Sequence, residues 1–243
     1  MSEFDDLGEL YEQTFELPWR RHLEVPTVLD LLGNLTDHAV LDIGSGSGWY
    51  CRTLAQHGAR EVVGLDVSNG MLDYARQHNS HPKVEYLLDP LPDELHGHFD
   101  TALTVYVFGY AKTREQLNDL CRTAAASLRP TGRFLVLTLN PDYQDDPEYY
   151  APYGFRLTSS HPKSDGAPAT LDLQFGAHNA TLTITYWSRE TLAAALHSAG
   201  FSDITYHDHQ LAPECIKKQG MEYWKDYLDR PHVAILDCRL SDT

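Results

Sequence analysis

The sequence predicts an α/β fold built on an open, doubly wound sheet of seven strands. Between residues 39 and 139, short apolar runs and helical segments alternate. Such alternation, with five strands in this stretch, is typical of a parallel sheet that has helices on both faces. Apolar stretches at residues 201–206 and 232–240 would add the last two strands. We therefore expect one domain around one central sheet.

The predicted elements follow one another in a regular order. Residues 39–43 are apolar at consecutive positions and run into glycines, which indicates a buried parallel strand. Upstream, residues 5–17 show a broken helical pattern, and residues 23–33 form a second helical pattern that ends at Gly33-Asn34. The remaining predicted strands are residues 61–66, 84–88, 99–106 and 133–139, and the helices between them are residues 49–57, 69–78 and 114–128.

An insertion interrupts this order. Residues 141–183 contain five of the thirteen prolines, and polar and apolar residues then alternate over residues 181–186. This pattern predicts a small, loop-rich cap with antiparallel strands. A helix should follow from Ser188, a good N-cap, to Gly200, a good stop signal. The domain then divides into an N-terminal helical part (1–36), a core (37–140), the cap insertion (141–187) and a C-terminal completion of the sheet (188–243).

Charge and composition limit the partners that we expect. The 243 residues include 35 acidic and 19 basic side chains, for a net charge of −16. Such a surface repels nucleic-acid phosphates and anionic membranes, so we expect a small-molecule substrate and neither nucleic acid nor membrane as a partner. The histidines are scattered without metal-ligand spacing, so no metal is expected. A monomer and a homodimer both stay open.

Cysteine usage and the N-terminus favour a cytoplasmic protein. The four cysteines form no CxxC pair, which indicates thiols in a reducing compartment. No apolar run approaches the roughly 18 residues that a membrane span needs. The acidic N-terminus also lacks the basic and apolar regions of a signal peptide.

A glycine-rich turn follows the first strand and predicts a nucleoside-type ligand site. Gly44, Gly46 and Gly48 follow Asp42, and glycine permits both positive φ angles and close approach of a ligand to the backbone. The helix that starts next would point its N-terminal amides at the ligand. Asp66 ends the second strand, 18 residues after Gly48, where a carboxylate can accept both hydroxyls of a ribose.

A nicotinamide-dependent oxidoreductase would share this turn and Asp66. The dinucleotide fingerprint G-x-G-x-x-G, however, needs a third glycine at position 49, where the chain has Trp49. The sequence also lacks a Tyr-x-x-x-Lys pair for hydride transfer. Both observations weigh against an oxidoreductase.

Four segments together resemble the motifs of class I S-adenosylmethionine (AdoMet)-dependent methyltransferases. The resemblance spans roughly residues 38–140, and it implies a Rossmann-like methyltransferase fold with AdoMet as cofactor and S-adenosylhomocysteine as product. The segments are VLDIGSGSG (40–48), VVGLDVSNGMLDYA (62–75), LLDPLPDELHGHFDTALTVYV (87–107) and LRPTGRFLVLTLNP (128–141).

The resemblance also implies roles for individual residues of the cofactor site. The first motif contacts the methionine part of AdoMet, the acid of the second strand binds ribose, and the residues after it cover adenine. The acid after the third strand reaches the adenine amino group, and the end of the fourth strand offers backbone to the methionine amine. These positions are Asp42, Gly44, Ser45 and Gly46 for methionine, Asp66 for ribose, Val67, Met71 and Asp89 for adenine, and Thr104 for the amine.

One departure from the family concerns Asp89. Most members have a longer segment between this acid and the following Leu-Pro, whereas Asp89-Pro90-Leu91-Pro92 is compressed here.

Residues 4–11 resemble the N-terminal lid helix of small-molecule N-methyltransferases. In that lid a tyrosine lies against the cofactor near the methyl group, which implies this catalytic position for Tyr11. Trp19 and Arg20 are further expected lid contacts, with Arg20 directed toward the cofactor carboxylate.

Aromatic residues predict the substrate site. Tyr106 and Phe108 follow the fourth strand, and Tyr153, Tyr186 and Trp187 belong to the insertion. They suit a flat heteroaromatic acceptor held by stacking, although aromatic residues of a loop-rich cap can equally form a small core of their own.

Two segments, YAPYGFRL (150–157) and GMEYWKDYLDRPHVAILDCR (220–239), resemble toxoflavin-biosynthesis-type methyltransferases. This resemblance implies N-methylation of an azapteridine-like secondary metabolite. O-methylation of a small phenolic or carboxylic metabolite is the alternative, and a phenol would call for a general base. A non-catalytic AdoMet-binding protein also stays open, because methyl displacement requires few particular side chains.

Overall fold

The computed structural model describes residues 4–5, 7–159, 162–175 and 178–241. This part of the chain contains ten strands. They are β1 (Ala39–Ile43), β2 (Glu61–Asp66), β3 (Val84–Leu88), β4 (Phe99–Val105), β5 (Leu128–Leu139), β6 (Phe155–Ser159), β7 (Pro168–Phe175), β8 (His178–Thr185), β9 (Phe201–His207) and β10 (Val233–Leu240).

Seven of these strands form the central sheet, in the order β3-β2-β1-β4-β5-β10-β9. The first five are parallel, and β10 is antiparallel to both of its neighbours. The seven-stranded, doubly wound sheet predicted from the sequence is therefore confirmed. Because the carboxyl ends of parallel strands face one edge of a sheet, β1, β2 and β4 deliver their terminal residues to a common site.

Eight α-helices accompany the strands in the described part of the chain. Their bounds are α1 (Gly8–Thr14), α2 (Val25–Leu32), α3 (Trp49–Gln56), α4 (Asn69–His78), α5 (Arg114–Ser127), α6 (Arg189–Ser198), α7 (Pro213–Gln219) and α8 (Met221–Asp229). A π-helical turn, Arg20–Glu24, runs directly into α2. Short 3-10 segments lie at Asp93–Leu95, Val107–Tyr110 and Ala151–Tyr153.

The two faces of the sheet bury separate apolar clusters. Val40 and Leu103 point to the face covered by α2, α3 and α4, whereas Leu41 and Ala102 point to the face covered by α5 and α6. This alternation follows from the period of two along a strand. It explains why the strands are apolar at consecutive positions.

The insertion forms a three-stranded antiparallel sheet in the order β6-β7-β8, as the sequence predicts. Its apolar residues join the cluster on the α2–α4 face, so the cap packs on the same side as the N-terminal helices. The helices α7 and α8 were not expected from the sequence. Tyr153 of the cap stacks on Trp224 of α8, with ring centroids 5.5 Å apart.

No helix among the described residues is both long and apolar enough to cross a membrane.

A partly buried ion pair links β10 to β5. The Arg133 Nε and Nη2 atoms donate to Asp237 Oδ1 and Oδ2 at 2.8 and 2.7 Å, and both side chains are largely buried. Two parallel hydrogen bonds of this kind fix the geometry of an Arg–carboxylate pair.

We therefore predict that Asp237→Asn lowers the free energy of unfolding by about 1–3 kcal/mol, because the guanidinium loses a charged partner. Urea denaturation measures the effect. Glu85→Gln, on the exposed side of edge strand β3, is the control and should leave the free energy of unfolding within about 0.5 kcal/mol of wild type. Equal losses in the two variants would contradict the prediction.

Candidate active site

The glycine turn after β1 is held against the end of β2. The amides of Gly44 and Ser45 both donate to the Leu65 carbonyl, at 2.7 and 3.0 Å. All three glycines of the turn have positive φ: 71° for Gly44, 53° for Gly46 and 82° for Gly48. These angles explain why the turn uses glycine.

The space around the three glycines differs. A Cβ on Gly44 would lie 2.2 Å from Val107 Cγ2, and a Cβ on Gly48 would lie 2.3 Å from the Tyr86 hydroxyl. A Cβ on Gly46 would meet no described atom within 4 Å. Gly44 and Gly48 therefore serve close packing inside the protein, whereas Gly46 faces space that a ligand can enter.

Asp66 ties the end of β2 to the glycine turn. Its Oδ2 accepts from the Gly46 amide at 2.8 Å, and its Oδ1 accepts from the Ser68 amide at 2.9 Å. Burial raises the pKa of Asp66, while these amides oppose the rise. The carboxylate keeps further lone pairs that can accept hydroxyl groups.

Asp42 lies beneath the turn and is buried. Its Oδ2 accepts from the Cys51 thiol at 3.3 Å. Burial raises the pKa of Asp42 to about 7, against the lowering effect of the thiol hydrogen bond and with a further rise from the charge of Asp66.

A cavity of about 620 Å³ opens above the turn. This volume lies within the range of roughly 300–1,000 Å³ that is usual for small-molecule sites. Ten of the twelve predicted cofactor residues line it: Tyr11, Arg20, Asp42, Gly44, Ser45, Gly46, Asp66, Val67, Met71 and Asp89. We call it the cofactor cavity.

Two predicted cofactor residues do not line this cavity. The Thr104 hydroxyl donates to the Ile43 carbonyl at 3.0 Å, and its neighbour Val105 lines the cavity instead. Trp19 is buried next to a different cavity, which is described below. Thr104 therefore supports the strand pair β1–β4 through its side chain.

Sequence reasoning missed several residues of the lining. Phe15 of the N-terminal region stacks on Trp49, the first residue of α3, with ring centroids 4.0 Å apart. Tyr50 and Val105 also line the cavity. Trp49 and Tyr50 directly follow the glycine turn. This position in the sequence could have identified them as lining residues.

The N-terminal helix α1 docks on the glycine turn through Glu12. Its Oε2 accepts from the Ser47 hydroxyl and from the Asn79 side-chain amide, each at 2.9 Å. The hydroxyl of Ser68, at the start of α4, donates to Asp5 at 2.6 Å. These bonds hold the N-terminal segment over the site, and Tyr11 accordingly faces the cavity.

A fully buried carboxylate, Glu24, is hydrogen-bonded to three residues of the cavity lining. Its Oε1 accepts from Arg20 Nε and from the Tyr50 hydroxyl, each at 3.0 Å, and its Oε2 accepts from the Tyr106 hydroxyl. Arg20 also donates to Thr14 at 2.6 Å and lies over the Phe15 ring. The positive charge of Arg20 is thus already balanced by Glu24, and its predicted role toward a cofactor carboxylate stays a prediction.

A second, smaller cavity of about 60 Å³ adjoins the first. Four residues line both: Tyr11, Arg20, Tyr106 and Tyr110. The hydroxyls of Tyr11 and Tyr110 are hydrogen-bonded to each other. Burial raises the pKa of Tyr11 and of Tyr106, so both phenols are protonated at neutral pH. We name this space the acceptor cavity after Tyr106, a residue of its lining that the sequence predicts to contact the substrate.

Of the five predicted substrate residues, the structure brings only Tyr106 to these cavities. Trp187 and Phe108 lie in the apolar cluster on the opposite face of the sheet, where the Trp187 indole donates to the Phe108 carbonyl at 3.2 Å. Tyr153 donates to the Tyr223 carbonyl at 2.9 Å, and Tyr186 packs near Tyr143. These four residues pack inside the protein and do not line either cavity. Packing of this kind is the alternative that the sequence left open for the aromatic residues.

The residues of the cofactor cavity suit AdoMet. Gly46 leaves open space beside the backbone, and Asp66 stands at the end of β2 with lone pairs for ribose hydroxyls. The buried Ser45 hydroxyl has no hydrogen-bond partner among the described residues. A ligand with hydroxyl and amine groups would satisfy these polar atoms.

Comparison with known proteins finds relatives among methyltransferases. A family model described as a methyltransferase domain matches residues 19–206. N-demethylindolmycin N-methyltransferase from Streptomyces griseus is 28% identical over 178 residues, which cover 68% of this chain and 70% of that protein.

Two further proteins are similar over different lengths. The tRNA U34 carboxymethyltransferase of Cellvibrio japonicus is 30% identical over 128 residues, and the match covers 50% of this chain and 38% of that relative. The crystal structure of an S-adenosylmethionine dependent methyltransferase from Mesorhizobium loti superimposes with a TM-score of 0.62 at 22% identity, covering 89% of this chain and 97% of that chain. This last likeness concerns the fold.

Gly44 and Gly46 provide a matched pair of variants. Both have positive φ, so alanine is strained at either position, but only Gly44→Ala also clashes with Val107. We predict that Gly44→Ala is the less stable variant by about 1–3 kcal/mol, the usual cost of overpacking. Gly46→Ala should instead stay folded and lose affinity for S-adenosylhomocysteine. Thermal denaturation and calorimetric titration measure the two effects, and a Gly46→Ala variant that binds like wild type would contradict the prediction.

The buried Asp42 predicts a pH dependence of stability without ligand. Its pKa is about 7 in the folded protein against 3.8 for the exposed group, so the folded state holds the proton more tightly. The contribution of Asp42 to stability is therefore full below pH 4 and is lost as the pH rises through 7, by up to about 4 kcal/mol.

Urea denaturation from pH 5 to pH 8 tests this dependence. Asp42→Asn cannot ionise, so its stability should fall less steeply than that of wild type over this range. Asp208→Asn, at an exposed position outside both cavities, should follow the wild-type profile. Parallel profiles for wild type and Asp42→Asn would rule out the raised pKa.

Proposed function

This chain belongs to the methyltransferase-domain family, and from that premise we propose that it methylates a ring nitrogen of a small, flat heteroaromatic metabolite. The enzyme is an AdoMet-dependent methyltransferase. When bound, AdoMet supplies a methyl group activated by its sulfonium. The protein's task in such a displacement is to align the acceptor and to exclude water.

The proposed cofactor residues have distinct tasks. Asp66 would accept the ribose hydroxyls, and Met71 and Val67 would cover the adenine, with Asp89 toward its amino group. The glycine turn would let the methionine part approach the backbone at Gly46. Tyr11 lies where the two cavities adjoin and is the residue that we place nearest to the transferred methyl group.

The observation that favours nitrogen is the chemistry of the junction between the two cavities. The four residues that line both are three tyrosines and Arg20. Tyr11 and Tyr106 are phenols with raised pKa, and Arg20 is a cation, so these groups are not suited to take a proton from an acceptor. A ring nitrogen with a free lone pair needs no such base, whereas a phenol would first have to lose its proton.

A carboxylate acceptor fits this junction poorly. The only cation among the residues that line both cavities, within the described part of the chain, is Arg20, and Glu24 already pairs with it. A second carboxylate at the junction would be buried without a counter-charge, which is costly. A neutral, flat acceptor avoids this cost.

Two further observations support a small heteroaromatic acceptor. The Streptomyces griseus relative carries the name of an N-methyltransferase, and the net charge of −16 disfavours nucleic acid as a substrate. We place the acceptor among heterocycles of secondary metabolism, such as azapteridine-like compounds. We further propose that the enzyme works without a metal and without a membrane partner, as a monomer or a homodimer.

Methyl transfer from radiolabelled AdoMet tests the proposed acceptor class. A panel of azapteridine-like and other nitrogen heterocycles should be labelled, and phenols and carboxylic acids of the same size should not. Labelling confined to phenols or carboxylic acids would overturn the proposal of N-methylation. A panel without any labelled compound would overturn the proposed acceptor class.

Calorimetric titration with S-adenosylhomocysteine tests the role of Asp66. We predict that Asp66→Asn weakens binding by about tenfold to a hundredfold, because an amide replaces a carboxylate that accepts hydroxyl groups. Asp208→Asn is the control and should bind like wild type. Unchanged affinity of Asp66→Asn would contradict the assignment of the ribose site.

A further inference from the structure

We propose that the acceptor cavity binds a carbonyl oxygen of the methyl acceptor through two N–H donors, Trp19 Nε1 and His232 Nε2. This inference rests on the proposed function, since it assumes that the acceptor enters beside the cofactor cavity. It assigns specificity to two residues that lie 213 positions apart in the chain.

The acceptor cavity is small and mostly apolar. Its volume of about 60 Å³ is roughly that of two water molecules, so it suits one substituent of a ligand and not a whole fused ring. The cap and the end of β5 supply most of the apolar wall, which includes Leu139, Leu171, Leu173, Leu182 and Ile184. Polar atoms in such surroundings determine which ligand atoms are accepted.

Trp19 supplies the first donor. Its side chain is 3% exposed, and its Nε1 atom has no hydrogen-bond partner among the described residues. An indole nitrogen can only donate a hydrogen bond. Leaving such a donor buried and unpaired is costly, and a ligand atom would remove this cost.

His232 supplies the second donor, and its partner Tyr227 determines which nitrogen carries the proton. The Tyr227 hydroxyl lies 2.9 Å from His232 Nδ1. Burial raises the pKa of Tyr227, so the phenol keeps its proton, and we assign it as the donor to His232 Nδ1, its hydrogen-bond partner among the described residues. The remaining proton of the neutral imidazole then lies on Nε2.

The second donor is also buried and unpaired. His232 Nε2 has no hydrogen-bond partner among the described residues, and burial lowers the pKa of the ring, which keeps it neutral. The rings of Trp19 and His232 are adjacent, with centroids 4.4 Å apart. We infer that these two N–H groups, which lie on adjacent rings and have no acceptor among the described residues, bind one ligand atom with two lone pairs, such as a carbonyl oxygen.

The consequence is a fixed orientation for the acceptor. A substituent bound by Trp19 and His232 would hold the adjoining ring at the junction formed by Tyr11, Tyr106 and Tyr110. The nitrogen to be methylated would then face the cofactor cavity. A compound without the hydrogen-bonding atom would leave both N–H groups buried and unpaired, and a site of this kind discriminates strongly against such a compound.

Two isosteric probes test the inference without any methyl transfer. Acetophenone and α-methylstyrene have nearly the same shape, but a CH₂ group in the second replaces the carbonyl oxygen of the first. Each is titrated into ¹⁵N-labelled protein saturated with S-adenosylhomocysteine, and the indole N–H signals of the four tryptophans are followed. Acetophenone should shift the Trp19 signal downfield and bind about tenfold more tightly than α-methylstyrene, the value of one or two hydrogen bonds.

Variants separate this role from a structural one. Trp19→Phe, which also identifies the Trp19 signal, and His232→Asn, which keeps a polar group toward Tyr227 but lacks Nε2, should each reduce the preference for acetophenone to below threefold. His232→Gln places an amide near the Nε2 position and should retain most of the preference. Affinity for S-adenosylhomocysteine should stay within twofold of wild type in all three variants.

Equal binding of the two probes to wild-type protein would overturn the inference, even if a variant failed to fold. A preference that survives in both Trp19→Phe and His232→Asn would also overturn it. Neither probe is a nitrogen heterocycle, so failure of the heterocycle panel and failure of this test are distinguishable.

Discussion

The buried carboxylate of Glu24 is the interaction on which the arrangement of the site depends. A charge removed from water is costly unless it is paired and hydrogen-bonded. Glu24 meets this requirement with Arg20 from its own helical segment, Tyr50 from α3 and Tyr106 from the end of β4. One carboxylate therefore ties three separate segments together at the carboxyl edge of the sheet.

This bonding also determines the position of the two cavities. Tyr106 has φ of 69°, a left-handed conformation that is uncommon for an aromatic residue, and its hydroxyl reaches Glu24. Arg20 and Tyr106 line both cavities, so the bonds that neutralise Glu24 also shape the wall where the cavities adjoin. Stability and access to the site are thus coupled through the same side chains.

The sequence was sufficient for the fold and for much of the cofactor cavity because that information is local. Asp42, the glycines and Asp66 belong to one strand–turn–helix–strand unit, in which spacing alone brings them together. Thr104 shows a limit of this reasoning. Successive side chains along β4 point to opposite faces, and Val105 lines the cavity where Thr104 was expected. The aromatic residues show a larger limit. Phe108 and Trp187 are aromatic like Tyr106, but only the three-dimensional path of the chain decides which face of the sheet each residue joins.

The two cavities differ in where their lining residues lie in the sequence. This difference affects which substitutions can change the specificity of each cavity. About half of the residues that line the cofactor cavity fall within residues 42–89, which hold the glycine turn and the ends of β1, β2 and β3, and the others come from the N-terminal segment and from residues 105–123. The acceptor cavity joins Trp19, the cap strands β7 and β8, and His232 just before β10. Substitutions in the cap can therefore alter the acceptor cavity while the hydrogen bonds of the glycine turn to Leu65 and Asp66 stay in place. If the second cavity binds the methyl acceptor as proposed, the residues that adapt the enzyme to its acceptor are distant in sequence, whereas the glycine turn, Asp42 and Asp66 belong to one local unit of the chain.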